Sequence, residues 1–255
     1  MSKLGEALQR KRRGEAGRAM GFGAAVRSKE RALLLGVLAT SASEAADALA
    51  AGVDFVTVAA ADAAAAADAA KALNGLIGTE VSSFAAGEVE TLKEAGIDFL
   101  IADPEVTAAG VADDEDLGLV LAATEGADET DLRAFAPLEL DAVLVRESAE
   151  GLTLARRISL TRVATLCGAP LLVAVTPAAT TADLEALRES GAAGVVVPGG
   201  TASTALTGLI EALEAVPPKS RRKSRRGDLA IVPTSAHGDD GDDRDDEDDE
   251  REDDE

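Results

Sequence analysis

Three charged side chains and one glycine turn have types and spacings that can do chemistry: Glu80, Asp103, Arg146 and the run Gly199-Gly200-Thr201-Ala202-Ser203. A carboxylate near a guanidinium can move a proton while the cation holds an anion, and burial plus a neighbouring charge separates the pKa values of two carboxylates. The structural alternative is that Arg146 only neutralises Asp103, or that Glu147 takes the inward position, since charge pairs are often structural. Gly199-Gly200 allows a close backbone approach to an anion, and a helix starting at Thr201 or Ala202 offers free N–H groups. Thr201 and Ser203 add hydroxyl donors. The same residues also describe a tight strand-to-helix turn with a capping threonine.

These residues need elements to position them, and the hydrophobic pattern supplies a series. From Arg31 onward, short aliphatic runs alternate with Ala-, Glu- and Leu-rich stretches of helical period, the pattern of βα units around a parallel sheet. Strands are expected at Leu33 to Ala39, Val53 to Ala59, Leu76 to Ser82, Ile97 to Asp103, Leu117 to Thr124, Ala142 to Glu147, Pro170 to Thr176 and Gly194 to Pro198. Eight strands make a closed (βα)8 barrel, a TIM barrel, the natural α/β solution. Helices are expected at Ser43 to Ala51, Asp62 to Leu73, Gly87 to Ala95, Leu152 to Leu166, Thr181 to Ser190 and Ala202 to Ala215. Glu105 to Glu115 reads as a loop and Glu129 to Phe135 as barely two turns; failure of those links would leave a doubly wound open sheet instead.

An internal repeat favours the barrel. Ala51-Gly52-Val53-Asp54-Phe55-Val56 recurs as Ala95-Gly96-Ile97-Asp98-Phe99-Leu100, with fainter copies at Leu140-Asp141-Ala142-Val143 and Ser190-Gly191-Ala192-Ala193-Gly194-Val195. In each clear copy the glycine ends a helix in a left-handed turn and the strand follows two residues later. Thr57, between Val56 and Val58, is expected to face the interior. Carrying that register along the even strands puts Ala59, Asp103, Arg146 and Pro198 in one inward layer at the mouth. On the odd strands, the parity holding Gly36, Leu38, Gly78 and Ala122 puts Glu80 inside and Thr40, Ser82, Thr124 and Thr176 at the rim.

The repeats, with Gly191-Ala192-Ala193-Gly194-Val195-Val196-Val197-Pro198-Gly199-Gly200, resemble the phosphate-binding (βα)8 barrels, the superfamily of ribulose-phosphate-binding and thiamine-phosphate-synthase-like enzymes. The likeness covers the barrel at the level of fold and selects no member. It implies phosphate held after strands 7 and 8, here near Thr176 to Ala178 and Gly199 to Ser203. Thr176-Pro177-Ala178-Ala179 departs from a glycine-rich turn.

Composition narrows the classes. Of 255 residues, 46% are hydrophobic, which suits a buried core, while aromatics are 2% with no Trp or Tyr, so no stacking surface for bases is expected. The net charge is −22, and Asp239 to Glu255 holds 14 acidic and 2 basic residues, yet the remaining body is still acidic. An acidic body opposes nucleic-acid binding by the barrel, and serves solubility in its plainest reading. The lone Cys167 forms no internal disulfide, reads as core and suits a cytoplasmic home; no apolar run reaches the roughly 20 residues of a membrane span, and no signal peptide is read. His237, the only histidine, lies in the tail, so His-based triads and metal sites are not expected, and no Lys stands at a strand end for Schiff-base chemistry. Nothing selects a flavin phosphate or any other cofactor. Gly21-Phe22-Gly23 lacks the preceding strand that a dinucleotide fingerprint requires.

The expected organisation is a charged N-terminal segment over 1–30 that covers the barrel bottom, the barrel over 31–217, and a disordered tail over 218–255, basic at 219–226 and then acidic. Two functions fit. One is a phosphate-handling enzyme, an isomerase, lyase or synthase of a small phosphorylated metabolite, with Glu80 and Asp103 for acid/base work, Arg146 as anion clamp and Thr176, Gly199, Gly200, Thr201 and Ser203 around the phosphate. The other is a non-catalytic barrel serving as an interaction scaffold, with its charged tail contacting partners. An open polar mouth favours the first; plugging by Leu38 and Leu144 favours the second.

Overall fold

A computed structural model describes residues 2–13, 31–148 and 151–217. The Gly21-Phe22-Gly23 run, His237 and the charged tail lie outside the described residues.

Eight parallel strands close into a barrel in sequence order: β1 (Leu34–Ala39), β2 (Phe55–Ala60), β3 (Ile77–Val81), β4 (Phe99–Ala102), β5 (Gly118–Ala123), β6 (Ala142–Val145), β7 (Leu171–Ala174) and β8 (Ala192–Pro198). Each pairs with the next, and β8 returns to β1 in the register Leu34↔Gly194 through Leu38↔Pro198. Closure excludes the open doubly wound sheet. The helices are α1 (Lys3–Arg13), α2 (Ala42–Ala50), α3 (Ala63–Ala70), α4 (Val89–Glu94), α5 (Glu129–Ala134), α6 (Leu154–Leu166), α7 (Thr181–Glu189) and α8 (Ser203–Ala215). The link read as a loop over 105–115 contains only a short 3-10 turn, Ala109–Asp113.

The repeat works as its chemistry suggests. Gly52, Gly96 and Gly191 end helices at φ 92°, 80° and 103°, where a side chain would be strained. In the two clear copies the strand begins three residues after the glycine, one later than expected. The repeat phenylalanines point inward, and Phe55 and Phe99 are fully buried and meet edge-to-face with ring centroids 5.8 Å apart. Each ring lies over a glycine of a neighbouring strand, Phe55 over Gly36 and Phe99 over Gly78, where a Cβ would overlap it. The inner core is completed by Leu34, Ile101, Val120, Leu144, Leu172 and Val196, while Val56, Val58 and the other parity pack under the helices. Thr57 has the parity of Phe55 and is buried, as its register requires.

The repeat aspartates have structural work at the opposite end from the mouth. Asp54 accepts from the Leu35 amide at 2.8 Å and pairs with Arg31 at 3.0 Å. Asp98 accepts from the Lys3 and Leu4 amides at 3.0 and 2.9 Å, satisfying donors that the start of α1 leaves open. Leu4 and Leu8 on α1 are fully buried and belong to the inner core of the barrel. Burying two leucines contributes on the order of 1.5–3 kcal/mol each, so α1 is part of the folded barrel rather than an appendage. Gly5 and Gly118 admit this approach, since side chains there would overlap Asp141 and Ser2.

Candidate active site at the barrel mouth

Inward residues near the C-terminal ends of the strands define the mouth, and they come from parity. On β3, Gly78 lies beside Phe99 of the inner core, so Glu80, two residues on, shares the inward face; its register partners are Ala59 and Ile101. On β6, Leu144 is fully buried inside, and Arg146 follows two residues later, just beyond the strand. Arg146 Nη2 meets Glu80 Oε1 at 2.8 Å, with the two side chains 40% and 42% exposed. Because β3 and β6 are three strands apart, this pair spans the mouth, and its exposure leaves both groups within reach of a ligand.

The partner of Arg146 is therefore Glu80, not Asp103. Asp103 is exposed and Oδ1 accepts from the Glu105 amide at 2.9 Å, which closes the turn after β4. Glu147 faces the adjoining sector, where Oε1 accepts from the Glu125 amide at 3.3 Å and its carbonyl from Arg156. Arg156 also pairs with Glu125 at 2.6 Å, and Arg162 donates to the Glu125 and Ala127 carbonyls. Those two arginines are thus committed to holding α6 against the loop after β5, whereas Arg146 stands over the mouth.

At the end of β8 the glycine turn is sterically required. Gly200 has φ 72°, and a Cβ at Gly199 would crowd Ala39, the Leu38 carbonyl and the Glu44 carboxylate. The Gly199 amide donates to Leu38 O at 2.7 Å, and the Thr201 hydroxyl donates to Pro198 O at 2.7 Å, so neither donor is open to a ligand. The start of α8 differs from its neighbours. Ser41, Asp62, Asp128, Thr153 and Thr180 cap α2, α3, α5, α6 and α7 with side-chain oxygens, whereas Ala202 before α8 gives no side-chain cap. Ser203 is exposed at that start. Thr176, after β7, is partly buried, and its carbonyl accepts from the Ala179 amide at 3.1 Å. Thr40, Ser82 and Thr124 are exposed at the rim.

Glu44 has no place in the sequence-derived site, although it borders the Gly199-Gly200 turn. Its signal was the capping pattern Ser41-x-x-Glu44, which places a carboxylate at the first turn of α2. Among the described residues no group of three or more His, Cys, Asp or Glu is arranged to hold a metal ion, and no helix is long and apolar enough to cross a membrane.

No family model matches the sequence, and no curated protein matches it. Solved structures do match. Tryptophan synthase from M. tuberculosis, in a ligand-free form, superposes with TM-score 0.58 at 16% identity over 85% of this chain and 99% of that one. A structure from Aquifex aeolicus gives 0.58 at 13% identity, over 86% of this chain and 100% of that one. A mutant tryptophan synthase alpha-subunit from Pyrococcus furiosus gives 0.52 at 15% identity over 73% and 98%. The chain is a (βα)8 barrel. The likeness drawn from the repeats is met at the level of fold, and the barrel's chemistry rests on the residues of its own mouth.

Proposed function

We propose that this barrel binds a small phosphorylated metabolite at its mouth and acts on it by acid/base chemistry of the isomerase, lyase or synthase kind. The observation that carries this reading is the half-exposed Glu80–Arg146 pair across the C-terminal end of the strands, the end where barrels of this fold place their active sites. Arg146 offers a planar fork to an anion, and a ligand that takes it releases the Glu80 carboxylate to accept a proton. Asp103, exposed on the same rim, is the second acid/base candidate. The phosphate cradle narrows to the amides from Gly200 through Thr204, because the Gly199 amide and the Thr201 hydroxyl already have partners. Thr176 and Ser203 border it as further hydroxyl donors. The fold shared with tryptophan synthase supports the reading by analogy.

Inorganic phosphate and ribose 5-phosphate, titrated while the Gly200–Thr204 amide resonances are followed, test it. Both should shift those resonances, and Arg146→Met should weaken ribose 5-phosphate about tenfold or more, the scale of a lost hydrogen bond to a charged group. Unchanged affinity in that variant removes Arg146 from the site.

A second reading, a barrel serving as an interaction scaffold, is favoured by the aliphatic filling of the interior, where Leu144 is fully buried and Leu38 packs against the same cluster, and by an exposed apolar pair. Leu154 and Ile158, one helical turn apart on α6, are 73% and 62% exposed. Absence of binding by both anions would leave that reading in place.

A further inference from the structure

The outer face of α6 combines two properties found on no other α-helix among the described residues. Leu154–Leu166 contains three arginines and no carboxylate, on a chain of net charge −22, whereas each of the other α-helices carries at least one Asp or Glu. It also holds Leu154 and Ile158, two of the four large hydrophobic side chains left exposed. Those two begin a longer stripe. Leu154, Ile158, Thr161 and Thr165 follow at spacings of four, three and four, and all are exposed. At about 100° per residue they fall within about 60° of one another, on the side away from Leu160 and Val163, which are buried against the barrel. Thr161 Oγ1 donates to Arg157 O at 2.8 Å and Thr165 Oγ1 to Thr161 O at 2.7 Å, so both hydroxyls are spent on the helix's own backbone and each threonine leaves a methyl for the surface. The stripe has the a/d spacing of a coiled-coil seam, and Arg157 and Arg162 flank it on opposite sides. Of the three arginines only Arg156 forms an ion pair among the described residues, with Glu125; Arg162 donates to two neutral carbonyls and keeps its charge.

We propose that this face of α6 docks an acidic amphipathic helix of another protein, one with aliphatic side chains at heptad spacing along its seam and Asp or Glu on either side. Charge selects that occupant. A second copy of this chain would bring the same arginines, and no carboxylate, to both sides of an α6–α6 contact, and a neutral or basic helix would leave Arg157 and Arg162 unpaired. Size selects it too. With 13 residues α6 is about 20 Å long, so its stripe matches one helix laid alongside rather than the roughly 800 Å² that each partner buries in a standard globular interface. The proposal rests on the scaffold reading, for which it names the partner, and makes no use of the barrel mouth.

The test uses two fluorescein-labelled three-heptad peptides, both with Leu at a and d, one with Glu and the other with Lys at e and g, so that each repels its own copies. Their binding to the full chain is followed by fluorescence anisotropy for the wild type, Ile158→Ser and Arg157→Gln, with thermal melts to confirm folding. The glutamate peptide should bind at least about tenfold more tightly than the lysine peptide, with the gap narrowing as salt rises. Ile158→Ser should weaken the glutamate peptide about tenfold or more, the scale of one buried aliphatic side chain. Arg157→Gln should weaken it about threefold and flatten its salt dependence, the scale of one exposed ion pair. Equal binding of the two peptides that is lost in Ile158→Ser overturns the acidic partner and leaves the scaffold reading standing. No binding of either peptide, or binding indifferent to Ile158→Ser, removes the docking face altogether. Sedimentation in which the full chain dimerises and Ile158→Ser returns it to monomer would give the face to a second copy and overturn the proposal. So would a synthetic peptide of residues 228–255 that binds wild type more tightly than the glutamate peptide and fails to bind Ile158→Ser.

Discussion

Removing the Phe99 ring and filling the space over Gly78 should be strongly non-additive. Phe99 is fully buried in the inner core of the barrel, and its ring occupies the place of a Cβ on Gly78. Phe99→Ala alone should destabilise by about 3–5 kcal/mol through lost transfer energy and the cavity left behind. Part of that, about 0.5–1.5 kcal/mol, is the edge-to-face contact with Phe55. Gly78→Ala alone should cost about 1–3 kcal/mol, because the new methyl forces the ring off its position in a core with no slack. In the double variant the methyl finds the vacated volume and recovers some packing, so the cost should fall short of the sum by at least ~1 kcal/mol. Urea unfolding of the four proteins, read by far-UV circular dichroism with m-values compared, measures the cycle. Additivity within ~0.5 kcal/mol would show that ring and glycine do not share space, and the account of why glycine precedes the mouth on β3 would be wrong.

Two further outcomes follow from buried groups. Burial pushes the Asp141 carboxyl above its usual 3.8, against the opposing bonds from the Leu119 amide and the Ser2 hydroxyl, so the folded chain binds that proton more tightly than the unfolded one. Stability from this group is fully present below the unfolded value and is lost as pH rises through the folded value. Asp141→Asn should therefore gain stability relative to wild type as pH climbs from 3 to 7, and a pH-independent difference in chemical denaturation would contradict it. Burial also pushes the Cys167 thiol up to about 11, so at pH 8 native protein should resist iodoacetamide, while protein in urea reacts at the rate of a free thiol. Rapid alkylation of native protein, followed by mass spectrometry, would place Cys167 outside the core.

The local chemistry of the chain determined the barrel's parts. Alternating periods marked eight strands, the repeated glycines marked helix ends, and strand parity placed Thr57, Glu80 and Arg146 on the inward face. Parity gives the direction in which a side chain points but says nothing of the distance across a closed sheet. That distance depends on strand tilt and stagger, which are properties of the closed barrel. Hence Asp103, in the same inward layer, was the partner expected for Arg146, and only the tertiary structure pairs the arginine with Glu80 and gives Asp103 to a turn. The same reason hid Glu44, whose capping role is local and legible but whose contact with Gly199 exists only because β8, some 150 residues later in the chain, hydrogen-bonds to β1. The repeat aspartates show the converse. Their spacing was visible, yet the use of Asp98 depends on α1, whose buried Leu4 and Leu8 bring the Lys3 and Leu4 amides to it.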